Sequence, residues 1–366
     1  METRRTFLQK ATIGSMLTAA NSAGSSITNN VTERQPGRMR TYNIPHTDLT
    51  VSRIAYGCAM LTDWERTPLS SDTIENATRV INTAYDNGIT FFDLADEYGF
   101  GKAELAFGRV LKQEPWLRHN IVIQSKCGLI FDRVFKPGDP YGCDLSHRHI
   151  VTATEESLGR LGVDYLDILL LHWPDVLVRP EEVAHAFDEL HRSGKVRYFG
   201  VSNHTASQID LLKKSISRPI VANQIHLSLA SSSLIAGGLA AILDASYGPH
   251  DYTELPVTLD YCRLHDIQIQ AYSPLRGELL APPPNATPEV KLAAQALANM
   301  AMQKNSTPPA IALAWLLHHP ARIAPIIGTA RPEHILEDCV ADRVALTDDE
   351  WYSLLYSAVK IRSRAV

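Results

Sequence analysis

Eight short apolar runs, each followed by a helical pattern and joined without a domain-breaking linker, predict an α/β chain folded as a single-domain (β/α)8 TIM barrel. The runs read as buried parallel strands, because each is too short for a helix and is bounded by turn or polar residues. They lie at 53–56 (the weakest), 90–94, 121–125, 167–171, 198–201, 220–223, 267–271 and 323–327. A doubly wound open sheet could use the same elements, but the count of eight favours closure.

Helical patterns fill the intervals. In SSDTIENATRVINTAYDNG, Ile74, Ala77, Ile81 and Ala84 share one face, serines can cap the start and Gly88 follows the end. SHRHIVTATEESLGRLG repeats the logic between Ser146 and Gly162, and PEEVAHAFDELHRSG opens on Pro180 and closes at Gly194. Further helices fit 206–214, 257–265, 288–304, 309–318 and 332–341. Two links exceed what a helix and its turns require: 224–272, and GLIFDRVFKPGDPYGCDLSHRH after the third strand. Loops that follow barrel strands line the active site, so extended loops at the C-terminal face are the expected substrate walls.

Composition excludes several classes. Of 366 residues, 45% are apolar and 20% charged, the balance of a globular chain with a sizeable core. A net charge of −5 gives no reason to expect nucleic acid or an anionic membrane as partner. No apolar run is long enough to span a membrane. Five cysteines, odd in number and without a C-x-x-C pair, argue against a disulfide framework or structural zinc, and no metal is expected. Nothing in the sequence demands more than a monomer or a weak oligomer.

Residues 1–38 read differently from 39–366, the span assigned to the barrel. Arg4 and Arg5 precede Phe7 and Leu8, then a weakly apolar stretch and small residues. This resembles a twin-arginine export signal, which carries folded proteins and implies a periplasmic destination. A disordered basic leader on a cytoplasmic protein is the alternative, and the unpaired thiols lean that way.

The chemistry gathers where strands end. The second strand closes at Asp93 with Tyr98 just beyond, the third at Lys126, and the fourth at His172. Each alone has a plain explanation as a cap, a packing ring, a solvated amine or a satisfied core imidazole. Together they come from the C-terminal ends of neighbouring strands, the face where barrel enzymes keep catalytic groups. The set suits proton transfer to a reacting oxygen. A phenol with a free pKa of about 10 donates poorly near neutrality. A nearby ammonium lowers that value, a carboxylate behind it keeps the ammonium charged, and a neutral imidazole can orient the oxygen.

These residues are recognisable. FFDLADEYG, SKCG, LLLHWPD, HRSGKVRYFGVSN, AYSPL and PIIGTARPEHI, in that order from Thr41 to Leu355, resemble the aldo/keto reductase superfamily. LTDWERTPLS is similar to its bacterial monomeric oxidoreductase branch. The resemblance implies a (β/α)8 barrel that moves hydride between NADPH and a carbonyl or alcohol. On that resemblance Tyr98 donates the proton, Lys126 lowers its pKa, Asp93 pairs with Lys126, and His172 orients the carbonyl.

The cofactor then has expected contacts. YGFGKAE imitates a dinucleotide-binding turn, but Glu104 stands where a third glycine belongs, so it is not the phosphate site. Gly328, Thr329 and Arg331, just before a helix opened by Pro332, suit an anion: free N–H groups, a helix dipole and a forked cation. The resemblance implies a 2′-phosphate there, hence NADP(H). It also assigns His334, Glu337 and Asp338 to the phosphate and adenine, although a histidine and an acid are less typical at the first and last of these. For the nicotinamide it implies Ser202, Asn203 and Gln224 on the carboxamide and Tyr272 on the ring face. Ser273, Leu275 and Gly277 would follow the pyrophosphate. The leading expectation is therefore an NADPH-dependent reductase of aldehydes or ketones. The alternative is a cofactor-binding barrel with a regulatory role and no physiological turnover.

Overall fold

The computed structural model describes residues 39–130, 142–237, 255–275, 277–359 and 361. The expected leader at 1–38 lies outside the described residues, as do 131–141 and 238–254 of the two long links.

The chain opens with an antiparallel hairpin of β1 (Thr41–Asn43) and β2 (Thr50–Ser52). Eight parallel strands follow: β3 (Ala55–Gly57), β4 (Phe91–Asp93), β5 (Val122–Cys127), β6 (Leu166–Leu171), β7 (Val196–Ser202), β8 (Ile220–His226), β9 (Gln268–Tyr272) and β10 (Ala324–Ile327). They close into a barrel in the order β10-β3-β4-β5-β6-β7-β8-β9. Closure comes from β10, which pairs with both β9 and β3.

The hairpin carries no motif the strand criteria could find, yet it has a clear packing role. Ile44, Leu49 and Val51 join Ala55, Phe91, Val122 and Ile168 in one buried cluster. Those last four stand at or near the starts of their strands, so the hairpin plugs the N-terminal end of the barrel. The opposite end is left for chemistry.

Helices form where the caps predict. Ser70 accepts a hydrogen bond from Thr73 N to open the helix Ser71–Asp86, whose Ala77, Val80, Ile81, Ala84 and Tyr85 are buried. Ser146 caps His147–Leu161 in the same way, and Gly162 closes it at φ 66°. The helix Asp348–Ala358, opened by a reciprocal cap between Thr347 and Glu350, carries no pattern the apolar criterion picks out, and the same holds for the short helices Ser233–Ala236 and Gly277–Leu280. Among the described residues no helix is long and apolar enough to cross a membrane.

Strand boundaries differ in one instructive way. The apolar-run criterion ends the third strand at Ser125 and the sixth at Asn223, but β5 runs on through Lys126 and Cys127 and β8 through Gln224 and His226. A strand of a closed barrel has an interior face that can hold polar groups when they satisfy one another. Lys126 and Gln224 are therefore both held by strand backbone, with Cys127 and His226 ending their strands.

Candidate active site

Each side chain of the predicted quartet is placed by the barrel register. Asp93 ends β4 and Lys126 sits inside β5, whose strands pair Asp93 with Gln124. Lys126 Nζ lies 2.7 Å from Asp93 Oδ2, 2.8 Å from the Leu94 carbonyl and 2.9 Å from Tyr98 Oη. An ammonium has three hydrogens, and these three acceptors take them all. That saturation is what permits a charge with no solvent exposure at all, since a buried ion missing a partner is strongly destabilising.

Tyr98 reaches this amine by a tight turn. Gly99 and Gly101 adopt φ of 57° and 85°, and a Cβ on Gly99 would collide with the Thr62 side chain. The two glycines thus serve the turn, and the helix Lys102–Gln113 starts immediately after it. Glu104 is fully buried, accepting from Ser125 Oγ at 2.6 Å and from Arg160 Nε at 2.8 Å.

His172 follows β6, with its ring 6.0 Å from that of Tyr98 and edge-on to it. Nδ1 is buried without a hydrogen-bond partner, while Nε2 lies 3.7 Å from Glu97 Oε1. Burial, and then the Lys126 charge, push its pKa well below the ordinary histidine value. The imidazole is neutral at neutral pH.

The phenol departs from the simple expectation. An ammonium 2.9 Å away favours the phenolate. Burial opposes it, followed by the carboxylates of Asp93 and Glu97, and the Tyr98 hydroxyl is pushed well above the ordinary range of a tyrosine. The net direction is upward because burial, reinforced by the two carboxylates, outweighs the ammonium.

The quartet stands at one end of a cleft of about 790 Å³. Asp93, Tyr98 and His172 line it, and Lys126 lies behind them. Along one wall come Ser202, Asn203, Gln224 and Tyr272, followed by Ser273 and Leu275. Ser202 Oγ donates to the Gln224 carbonyl at 2.9 Å. Asn203, at φ 59°, donates to the His172 carbonyl at 3.3 Å and accepts from Tyr272 Oη at 3.1 Å. Its amide thus ties β7 to the quartet and to β9. Gly277 opens the short helix Gly277–Leu280 and is not part of the lining.

At the far end the lining includes Gly328, Thr329, His334, Glu337 and Asp338. Thr329 Oγ1 accepts from Arg331 N at 3.2 Å, fixing the entry to the helix Pro332–Cys339. Arg331 itself is exposed and lies outside the lining. Asp338 is buried, and burial, then Glu337, push its carboxyl up to about 7.

Several side chains of the site were not singled out from sequence. Glu97 and Trp64 line the cleft beside Tyr98, the Trp64 and Tyr98 rings meeting edge-on at 6.4 Å. Gln124 and Gln270 lie buried beneath it. A signal for the glutamines was present. Each stands two residues before a site residue, Lys126 or Tyr272, and the period of a strand puts such pairs on one face.

Elsewhere His147, His185 and Glu189 bring potential metal-ligating atoms within 4.8 Å of one another. The two imidazoles are stacked at 4.1 Å with planes 16° apart, and His147 Nε2 is 2.8 Å from Glu189 Oε2. Stacking confines the lone pairs of the two rings to separate, nearly parallel planes, which disfavours their meeting at one ion.

The model for the aldo/keto reductase family matches residues 53–355. This chain belongs to the aldo/keto reductase family. Among relatives of this aldo/keto reductase, a protein named 6-dehydroglucose reductase from Novosphingobium aromaticivorans is 34% identical over 319 residues, 86% of this chain and 93% of its own. An uncharacterized oxidoreductase, YcsN of Bacillus subtilis, is 34% identical over 315 residues, 86% of this chain and 96% of its own. Among solved structures, the thermostable aldo-keto reductase Tm1743, crystallised with the inhibitor epalrestat, superposes at a TM-score of 0.68 and 25% identity, covering 87% of this chain and all of that one. The barrel and the family expected from the motifs are both found.

Proposed function

We propose that this aldo/keto reductase is an NADPH-dependent reductase of aldehydes or ketones in which Tyr98 gives the proton to the carbonyl oxygen. The observation that carries the reading is the contact of Lys126 Nζ with Tyr98 Oη at 2.9 Å and with Asp93 Oδ2 at 2.7 Å, beside a neutral His172 in the lining of the cleft.

The residues present fit a nicotinamide dinucleotide. Gln224 spends its Nε2 on Asp93 and Gln270, which leaves its oxygen to face a carboxamide. The Tyr272 ring can cover a flat heterocycle. Gly328, Thr329 and the start of the helix at Pro332 suit a phosphate, and Arg331 stands beside them. When bound, the cofactor supplies the hydride.

The chain supplies the rest. Tyr98 enters the reaction protonated, because its pKa is raised. Its proton moves from Oη to the substrate oxygen, and the phenolate left behind faces an ammonium that is already in place. Preorganised charge of this kind stabilises the transition state without reorganisation. With Nδ1 enclosed, the imidazole proton is best placed on Nε2, from which it can donate to the same oxygen and hold it between the two rings. Asp93 keeps Lys126 charged and aimed.

The test is turnover by purified protein with NADPH and a panel of aldehydes, followed by loss of cofactor absorbance. The relatives named 6-dehydroglucose reductase make a sugar aldehyde the first compound to try. Steady oxidation of NADPH in proportion to product is expected. Cofactor binding without turnover across the whole panel would count against the reductase and for the regulatory barrel.

A further inference from the structure

Beneath the cleft, Asp93, Gln124, Gln224 and Gln270 close a hydrogen-bonded set with exposures of 1%, 0%, 2% and 0%. The register puts Asp93 opposite Gln124 across β4 and β5, and Gln224 opposite Gln270 across β8 and β9. Gln124 Nε2 donates to Asp93 Oδ1 at 2.6 Å and to Gln270 Oε1 at 2.8 Å. Gln224 Nε2 donates to the same two oxygens at 2.9 Å and 3.1 Å. Gln270 Nε2 returns a bond to Gln124 Oε1 at 2.9 Å.

The logic of donors decides each amide's orientation. Asp93, paired with Lys126, is an acceptor only, so both neighbouring amides must turn their NH2 groups toward it. Each NH2 has a second hydrogen, and both of these point at Gln270 Oε1. Turning Gln224 over would set its oxygen against a carboxylate oxygen and against the Gln270 oxygen. Turning Gln270 over would set NH2 against NH2. One arrangement remains, and in it the Gln224 oxygen is the amide oxygen that receives nothing from the set.

We infer that Gln270 is a positioning residue: together with Asp93 Oδ1 it holds the Gln224 amide with the oxygen toward the cleft, so that the cleft selects a ligand bearing an N–H donor at that point. This rests on the proposal that the cleft takes a nicotinamide, whose carboxamide carries such a donor. Asp93 meanwhile divides its oxygens, Oδ2 for Lys126 and Oδ1 for the amides. Loss of Gln270 therefore acts on the amide side and leaves the Lys126–Tyr98 contact in place.

The experiment compares affinities for NADPH and for its reduced 3-acetylpyridine analogue, which replaces the carboxamide NH2 by a methyl group. Wild type, Gln270→Met and Gln270→Glu are titrated by fluorescence, with folding checked by circular dichroism. One neutral hydrogen bond implies a wild-type preference for NADPH of about three- to tenfold. Gln270→Met, similar in length but without an acceptor oxygen for the two amides, leaves Asp93 Oδ1 as the one acceptor holding the Gln224 NH2 and is expected to reduce the preference by about two- to threefold while the pH profile of turnover stays unchanged. Gln270→Glu, held protonated by burial beside Asp93, keeps an oxygen acceptor for both amides and an O–H donor for Gln124 Oε1, and should retain the preference. A folded Met variant with the wild-type preference overturns the inference, and so does a folded Glu variant that loses it should the Met variant fail to fold. Equal wild-type affinity for both cofactors sinks the inference alone, whereas no binding of either sinks the nicotinamide reading beneath it.

Discussion

The two ends of the cleft are built on different principles. At the catalytic end the charges and the amide NH2 groups are paired within the protein: Lys126 has its three acceptors, Asp93 its donors, and the amides one another. At the other end Thr329, Arg331 and His334 are exposed or half-exposed, and Arg331 holds its place through its backbone. The first end has its charges paired before any ligand arrives, with the Gln224 oxygen and the His172 ring left to meet one. The second is a surface on which a ligand's own charge would complete the contacts. A closed, buried constellation can set a proton's fate, because low dielectric strengthens each interaction and nothing needs to move. An open one can only select and hold.

The sharpest way to break that contrast is Tyr98→Phe. Only the hydroxyl is removed, and the ring keeps its edge-on packing with Trp64 and His172. Loss of a general acid costs about 10²- to 10⁴-fold in turnover, whereas NADPH affinity should change little. Steady-state rates with fluorescence titration of the cofactor check both halves. A variant that still turns over would move the proton donor elsewhere.

Arg331→Ala probes the open end and should be smaller. If this guanidinium reads the 2′-phosphate, its removal weakens NADPH by about ten- to a hundredfold, the scale of charge-assisted hydrogen bonds, and leaves NADH almost unaffected. The ratio of the two dissociation constants is the measurement. Equal losses would assign the discrimination to another group of this end, with His334 the nearest candidate. Unlike the Tyr98 change, this one should soften with added salt, because the charge stands in solvent.

The same contrast explains what the sequence makes legible. The quartet could be read because each member ends or follows an apolar strand, and barrel geometry sends those ends to one face. The barrel itself could be read because helix caps such as Ser70 and Ser146 are local signals. What escaped depends on contacts far apart in sequence. The glutamine set joins strands 146 positions apart, between Gln124 and Gln270, and reads in sequence as two polar residues spoiling apolar runs. The direction of the Tyr98 shift depends on how deeply the ring is enclosed and on Glu97, neither of which spacing reveals. The hairpin of β1 and β2 is too short and too mixed to show a period, and is defined only by the barrel mouth it fills.

Asp338 lies between the two regimes, a buried acid at the open end, and it gives the smallest effect. Its carboxyl is pushed up to about 7 by burial and then by Glu337. An unfolded aspartate titrates near about 3.9. The folded state therefore holds the proton more tightly than the unfolded one, and the sign follows: stability is highest where Asp338 is protonated in both states. It declines as pH rises from about 4 to about 7 and is level above that. Full conversion at about 1.4 kcal/mol per pKa unit gives an upper bound of roughly 4 kcal/mol. Asp338→Asn, which removes the charge but still buries an amide, should recover about 1–2 kcal/mol of this at mildly alkaline pH, or roughly 2–4 °C in melting temperature. At pH below about 4, where the wild-type acid is neutral in both states, the two proteins should melt nearly together. If the variant's advantage is the same at both pH values, the gain comes from packing and the ionised carboxylate is not strained. If instead the advantage appears at alkaline pH and disappears when NADPH is added, the cofactor itself supplies the missing partner, and this end of the cleft is completed by its ligand.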